Sequence, residues 1–444
     1  MLLELYRLFA KLVVKLTRPF LKTLRARSEM NWIETPNTSL RAKRLWFHAA
    51  SAGELESLWP IVRASAEASY GVAVSVFSRS AERGLTNLVQ EIEQDFPGSL
   101  FAYGFSPLEG HWKRTLSRAN IGGFVTAKYE AWPELWGTLR ELNVPLTIVG
   151  AEARPSLQTA RLIVGDLLGG LPEMGLVLFD DTGKETLSRW FPKARVGAFP
   201  DPRWERVIAR QNNEQGRAHE LVKKVSGRLS MPVSMPVSVP VSVPARPWGI
   251  LGSVWPEDLA IWSRLSPVGR KALDDQTLWI VPHKIDRWFI ESIEASLRTM
   301  GLKSFRTSTI VSQAVGDGAT DGRVILVDEM GCLTELYAFM DWAYVGGGFS
   351  HGLHSTIEPA VAGLPIAGGP HRARLFSEVR ELLTMGQLTL VPTPTELEAW
   401  ICQRTSLAPE DRETRKQVFR GRNDLGRLIL KNLEGGLPHR SVLR

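Results

Sequence analysis

Short apolar runs that alternate with helical stretches, in two separate series, restrict this chain more than any other feature of its sequence. From residue 45 to about 200 the runs are "LWFHA" (45–49), "VAVSVF" (72–77), "FVTA" (124–127), "LTIVG" (146–150) and "LVLF" (176–179). Each reads as a strand buried on both faces, and such a strand needs cover on both sides. The rhythm resumes after 248 with "WGILGS" (248–253), "LWIVPH" (278–283), "VILVD" (324–328), "WAYVGG" (342–347) and "LPIAGG" (364–369). At 444 residues the chain has room for two bodies of this kind. The expected fold class is α/β: two doubly wound, Rossmann-like domains facing across a cleft, with ligands at the carboxyl ends of the strands.

Between the two series lies "MPVSMPVSVPVSVPARP" (231–247), with Pro at 232, 236, 240 and 244. Proline every fourth residue blocks a helix and spoils central sheet pairing, so an extended, exposed segment is expected. The opening segment is different again. Arg7, Lys11, Lys15, Arg18, Lys22, Arg25 and Arg27 stand against Glu4 alone, so nearly all of the net charge of +7 is concentrated in residues 1–27. A nucleic-acid-binding body is therefore not expected. The cations recur every three or four residues and form one helical stripe, with Leu5, Leu8, Phe9, Leu12, Val13, Leu16, Phe20 and Leu24 around the rest. Charges interrupt every window long enough to span a bilayer, so the expectation is a helix lying in an anionic membrane surface. The alternative is a helix packed on the body, or on a partner, with a solvated basic face. Two cysteines, Cys332 and Cys402, exclude a disulfide framework and a Cys-rich zinc site. The expected organisation is a basic amphipathic helix (1–30), an N-terminal domain (31–215), a Pro/Val/Ser-rich linker or insertion (216–247) and a C-terminal domain (248–444), whose last helix is a candidate to cross back.

Chemistry concentrates in a few stretches. In "HAASAGELES" (48–57) Glu54 follows a Ser-Ala-Gly turn at the mouth of the first strand, where Ser51 and Gly53 suit a tight strand-to-helix turn. Glu54 is either a first-turn residue favoured by the helix dipole or a functional carboxylate. In "DEMGCLTELYAFMDWAYVGGGFSHGLHSTIEPAVAGLPIAGGPH" (328–371), Gly346, Gly347 and Gly348 let the backbone approach a ligand. The polar turn 350–356 then leads into a helix near Ile357, where backbone N–H groups make a phosphate site, and Glu358 is placed to accept from ribose hydroxyls. His351 and His354 lie three apart, but no third ligand has metal-site spacing.

This arrangement resembles the C-terminal half of GT-B glycosyltransferases that use nucleotide-sugar donors. Taken with the earlier segments it is similar to one family, the 3-deoxy-D-manno-octulosonic acid (Kdo) transferases of lipid A biosynthesis. "HAASAGE", "KYEAWPE" (128–134), "EARPS" (152–156), "DPRWERV" (201–207), "GSVWPED" (252–258), "VPHK" (281–284), "DEMGCLTELY" (328–337) and "GGGFSHGLHSTIEP" (346–359) match family motifs in order. Departures fall at "FSRSAERG" (77–84), at "FSPLEG" (105–110), at Ser355 and at Glu152, the last two replacing Asn.

The resemblance implies an inverting transfer of Kdo from CMP-Kdo to a lipid A precursor, for lipopolysaccharide inner-core synthesis. It implies no metal or other cofactor and a place on the cytoplasmic face of the bacterial inner membrane, peripheral or anchored through the N-terminal residues 1–27. Glu54 would be the general base. Ser51, Gly53, Glu130 and Arg154 would serve the acceptor side. Gly252, Ser253, Pro282, His283, Lys284, Gly331, Gly347, Gly348, Ser350, His354, Ser355 and Glu358 would hold the donor. The leaving phosphate needs positive or dipolar stabilisation, with the 350–356 N–H groups, His283, Lys284 and Arg203 as candidates. Arg203 is equally a structural ion-pair partner. Two other classes stay open: another GT-B enzyme (a UDP-sugar lipid-linked glycosyltransferase or a nucleotide-sugar 2-epimerase), and a catalytically idle membrane-bound nucleotide-binding or scaffold homologue.

Overall fold

The structure is a computed structural model that describes residues 2–17, 32–34, 43–128, 130–211, 217–228, 247–274, 276–312, 324–404 and 410–435. The proline repeat, apart from Pro247, and the cations Arg18, Lys22, Arg25 and Arg27 lie outside the described residues. The chain divides into two compact units, Met1–Arg206 with Asp424–Arg444, and Val207–Asn423.

Unit 1 holds an eight-stranded sheet: β1 (Trp32–Glu34), β2 (Arg44–Ala49), β3 (Gly71–Val76), β4 (Leu100–Phe105), β5 (Gly123–Ala127), β6 (Leu146–Val149), β7 (Met174–Leu178) and β8 (Arg195–Ala198). Its order is β1-β4-β3-β2-β5-β6-β7-β8, parallel except where β1 pairs antiparallel with β4. The period of two along each strand feeds two separate cores. Leu45, Phe47 and Ala49 join one apolar cluster with Val72, Val74 and Val76, while Trp46 and Ala73 join the other with Trp112 and Phe124. The helix that follows β2 packs Leu55, Leu58, Ile61 and Val62 into the first cluster, together with Ile429, Leu430 and Leu433 of the helix Leu425–Glu434.

Unit 2 carries a seven-stranded, wholly parallel sheet of β9 (Trp248–Val254), β10 (Thr277–Pro282), β11 (Ser304–Arg306), β12 (Val324–Leu326), β13 (Trp342–Val345), β14 (Ile366–Gly368) and β15 (Leu388–Leu390). The order is β11-β12-β10-β9-β13-β14-β15. Both sheets are doubly wound, so the α/β, GT-B-type expectation holds for each unit. Strands β8, β11 and β15 escape the sequence reading because they have only three or four residues and carry half-exposed side chains. Strand β4, "LFAYGF", also escaped that reading, although its first three residues are buried.

The N-terminal helix α1 (Leu2–Thr17) corrects part of the expectation. Its buried residues are Leu3, Arg7 and Ala10, spaced along one face. Arg7 is not part of a solvated basic stripe. Its Nε donates to Glu134 at 3.1 Å, and its Nη2 donates to Thr138 at 2.7 Å and Glu141 at 2.8 Å. Burial of the Glu134 carboxylate demands a cation here, and Arg7 supplies it. Leu2, Leu5, Leu8, Phe9, Leu12 and Leu16 are all more than half exposed on the outside of α1. Among the described residues no helix is long and apolar enough to cross a membrane.

Candidate functional site

Strand β2 ends at Ala49, and helix α2 (Ala52–Glu67) starts three residues later with Ser51 as its N-cap. At the third helical position Glu54 folds back, and its Oε2 accepts from the Ser51 N–H at 2.9 Å. The residue is only 5% exposed. Burial pushes Glu54 above the usual carboxylate range, and Glu130 beside it pushes the same way, against the N–H groups of Ala50 and Ser51. At Glu54 desolvation outweighs the helix N-terminus. Gly53 needs a correction. A methyl group there would meet nothing within 4 Å and its φ is not positive, so the turn does not require glycine.

Glu130 lies just beyond β5 and is buried. Its Oε2 accepts from Trp132 Nε1, and His48 Nε2 lies 3.3 Å from the same oxygen. Trp132 caps helix α3 (Pro133–Glu141), and its ring leans on Phe77 at 5.4 Å between centroids. Sequence reasoning passed over His48 and Ser75. They face each other across the β2–β3 register, and His48 Nδ1 lies 2.9 Å from Ser75 Oγ. The signal available was a histidine inside an apolar strand, a residue that needs partners once buried. Arg154, the N-cap of the helix Pro155–Leu162, is held by Glu152 at 2.9 Å, and Arg203 is held by the buried Asp201 at 2.6 Å. For Arg203 the ion-pair alternative is what the structure displays.

In unit 2 the donor-side residues gather at the carboxyl ends of β9, β10 and β13. Ser253 is bulged between registers Val281↔Gly252 and Pro282↔Val254 and sits at φ 54°, a left-handed conformation costly for serine. Trp255 caps helix α4 (Pro256–Trp262). Its ring stacks on His351 at 3.6 Å and on His283 at 4.6 Å, its Nε1 donates to His354 Nε2 at 2.9 Å, and Lys284 Nζ lies 5.1 Å from its centroid. Burial, with His283 and His351 alongside, pulls His354 down to about 4, and burial with Lys284 lowers His283. Both imidazoles are therefore neutral near pH 7, which corrects the idea of His283 as a cation for a phosphate. Lys284 remains.

Asp258, another residue sequence reasoning left without a role, ties this end together. Fully buried, it accepts from the N–H groups of Trp255 (2.9 Å) and Gly347 (2.8 Å) and from Tyr344 Oη (3.0 Å). Gly347 has φ 86°, and a methyl on Gly348 would stand 2.5 Å from the Gly369 carbonyl oxygen, so this loop is built for glycine. A methyl on Gly252 would collide with the Tyr337 hydroxyl. Gly331, at φ 91°, is exposed with open space around it. Helix α5 (Ile357–Val361) has a single turn, with half-buried Glu358 in it and Ser355 just before it. The expected cradle of N–H groups is narrower than the sequence suggests. The N–H groups of Ser350, His351 and Gly352 point to the Gly347 carbonyl and that of His354 to Gly346. Ser350 Oγ also bonds His351 Nδ1 at 2.7 Å.

Comparison with known proteins follows the same lines. A family model described as 3-deoxy-D-manno-octulosonic-acid transferase (kdotransferase) matches residues 23–168, which include Glu54, Glu130 and Arg154. The 3-deoxy-D-manno-octulosonic acid transferase of Chlamydophila psittaci is 34% identical over 139 residues, 31% of this chain and 30% of that protein. The transferase of the same name from Haemophilus influenzae is 24% identical over 377 residues, covering 80% of this chain and 77% of the relative. The chain is related to the Kdo-transferase family. The UDP-GlcNAc 2-epimerase of Neisseria meningitidis shares the fold, with a TM-score of 0.53 over 88% of this chain and 100% of that one at 11% identity. As a GT-B-fold relative of the Kdo transferases, the chain places its family-like carboxylates in unit 1 and its glycine-rich motif in unit 2.

Proposed function

We propose that this protein is an inverting glycosyltransferase that moves Kdo from CMP-Kdo to the hydroxyl of a lipid A precursor. The observation that carries this reading is the buried Glu54, held at the mouth of β2 and facing a second buried carboxylate, Glu130. A base works best when its pKa lies near the working pH, and burial moves Glu54 in that direction. In the reaction Glu54 takes the proton of the acceptor hydroxyl as its oxygen attacks the anomeric carbon. The bond from that carbon to the CMP phosphate oxygen breaks, and CMP departs with the electron pair. Lys284 supplies the positive charge for that phosphate, and Glu358 takes the ribose. Gly252, Ser253, Pro282, Gly331, Gly347, Gly348, Ser350, His354 and Ser355 shape the donor pocket. Ser51, Gly53, Glu130 and Arg154 serve the acceptor, with Arg203 in support.

The exposed apolar side of α1 supports a membrane surface as the place of reaction, on the cytoplasmic face of the inner membrane. A lipid acceptor would be met there. The test incubates the full chain with a tetra-acylated lipid A precursor and either CMP-Kdo or UDP-sugars, and identifies products by mass spectrometry. Kdo-bearing lipid with CMP-Kdo alone is expected. Product from a UDP-sugar and none from CMP-Kdo would overturn the donor assignment.

A further inference from the structure

Trp255 Nε1 lies 2.9 Å from His354 Nε2, and the hydrogen bond between them has only one possible direction. An indole N–H donates and never accepts, so His354 Nε2 is the acceptor and carries no proton. A neutral imidazole has a single N–H, which places the His354 proton on Nδ1. The surrounding rings hold this pair in place. Trp255 and His354 are parallel to within 9°, with centroids 6.4 Å apart, which leaves room for the N–H between their edges. His283 lies parallel to both, 4.6 Å from Trp255 and 4.3 Å from His354. His351 stacks on Trp255 at 3.6 Å, and Phe289 meets the indole edge-on at 5.4 Å. At Gly347 a methyl would stand 2.9 Å from His354 Cδ2 and 3.0 Å from Nε2, so glycine lets the imidazole edge come this close. His354 Nδ1 makes no hydrogen bond to a described residue, and it is not sealed from solvent.

We infer that Trp255 is a positioning residue: it locks His354 as a neutral Nδ1–H donor, available to an oxygen of the bound nucleotide. This rests on the reading of the β9, β10 and β13 ends as the donor site, and it adds a residue that acts through His354. The lock separates two tasks. Lys284 Nζ, 5.1 Å from the Trp255 centroid, brings the positive charge. His354 brings a directed N–H without a second charge. A proton on Nε2 would face the indole N–H donor to donor, so the bond itself resists formation of the imidazolium. Burial and the neighbouring His283 and His351 act in the same sense. Fixing the tautomer before the nucleotide arrives removes that ordering cost from binding.

The test reads the tautomer itself. Full-length protein carrying 15N-labelled histidine is observed by long-range 1H–15N NMR near neutral pH, with His354 assigned by the loss of its signals in His354→Asn. The expected result in wild-type protein is one form, with the proton on Nδ1, and this measurement needs no variant to fold. In Trp255→Phe, which keeps a ring for His351 and His283 to stack on, an Nε2–H form should appear beside it. Nε2–H as the main form in wild-type protein would overturn the proposal, and so would a purely Nδ1–H ring in Trp255→Phe. Calorimetric binding of CMP reads the contact with the nucleotide. Asn sets its amide near the place of Nδ1 and Gln near that of Nε2, so His354→Gln should bind CMP about tenfold more weakly than His354→Asn, the worth of one hydrogen bond. Equal binding by the two variants would overturn the assignment of Nδ1–H to the nucleotide. Failure of the donor reading looks different: UDP would bind in place of CMP, and the difference between the two variants would appear with UDP.

Discussion

At the start of α2 two influences act on the Glu54 carboxyl in opposite directions. Backbone N–H groups favour its charge, burial and Glu130 oppose it, and the opposition is larger. The base must be unprotonated to work, so kcat/KM should fall on the acid side with a midpoint above the 4.5 of an ordinary glutamate. A pH profile of the wild-type enzyme checks this, and a midpoint at or below 4.5 would count against it. The glycines make a sharper residue-scale contrast. Gly348→Ala forces a methyl to 2.5 Å from the Gly369 oxygen and should destabilise by about 1–3 kcal/mol. Gly53→Ala meets nothing, replaces a helical glycine, and should gain up to about 1 kcal/mol. Chemical denaturation of both variants measures the difference. Sequence alone treats these two glycines alike, because both sit in turns at strand ends; only the neighbouring backbone separates them.

At the scale of elements, α1 inverts the usual arrangement of an amphipathic helix. It docks through Leu3, Arg7 and Ala10 and leaves Leu5, Leu8, Phe9, Leu12 and Leu16 outside. With Lys11 and Lys15 also exposed, that surface suits an anionic bilayer. Replacing Leu8 and Phe9 by Asp should cut co-sedimentation with anionic vesicles at least tenfold while leaving the melting temperature within a few degrees, since neither side chain is buried. Unchanged sedimentation would count against the membrane role. Beneath α1, Tyr6 donates to Glu109 at 3.1 Å, and the Glu134 N–H bonds the same carboxyl at 2.6 Å. Burial raises Glu109 to about 7. Its folded state binds a proton that the unfolded chain releases near 4.5, so stability should decline as pH rises from about 4.5 to about 7. Glu109→Gln should flatten that part of a Tm-against-pH curve.

Over the whole molecule, the two parallel sheets were legible because strands apolar on both faces leave few other solutions, as "LWFHA" and "WGILGS" illustrate. The motif glycines and Glu54 were legible as candidates because their types and spacing serve known chemistry. Less legible was anything that depends on partners distant in sequence. Arg7 looked like one cation of a stripe until Glu134 and Glu141 came to meet it. His48 looked like an interruption in a strand until Ser75 and Glu130 took both its nitrogens. The 350–356 loop looked open to phosphate until the Gly346 and Gly347 carbonyls occupied four of its N–H groups. For Arg7 and His48 burial decides the chemistry, and for the loop its own backbone hydrogen bonds do; both follow from the assembled unit.

In the proposed Kdo transfer Glu54 acts as the base. Single-turnover transfer from CMP-Kdo to a tetra-acylated lipid A precursor, compared between wild-type protein and Glu54→Gln, tests that most directly. A loss of at least a hundredfold, with CMP-Kdo binding retained, is what the buried carboxylate predicts, on the order of the contribution of a general base. Transfer by Glu54→Gln at the wild-type rate would contradict it.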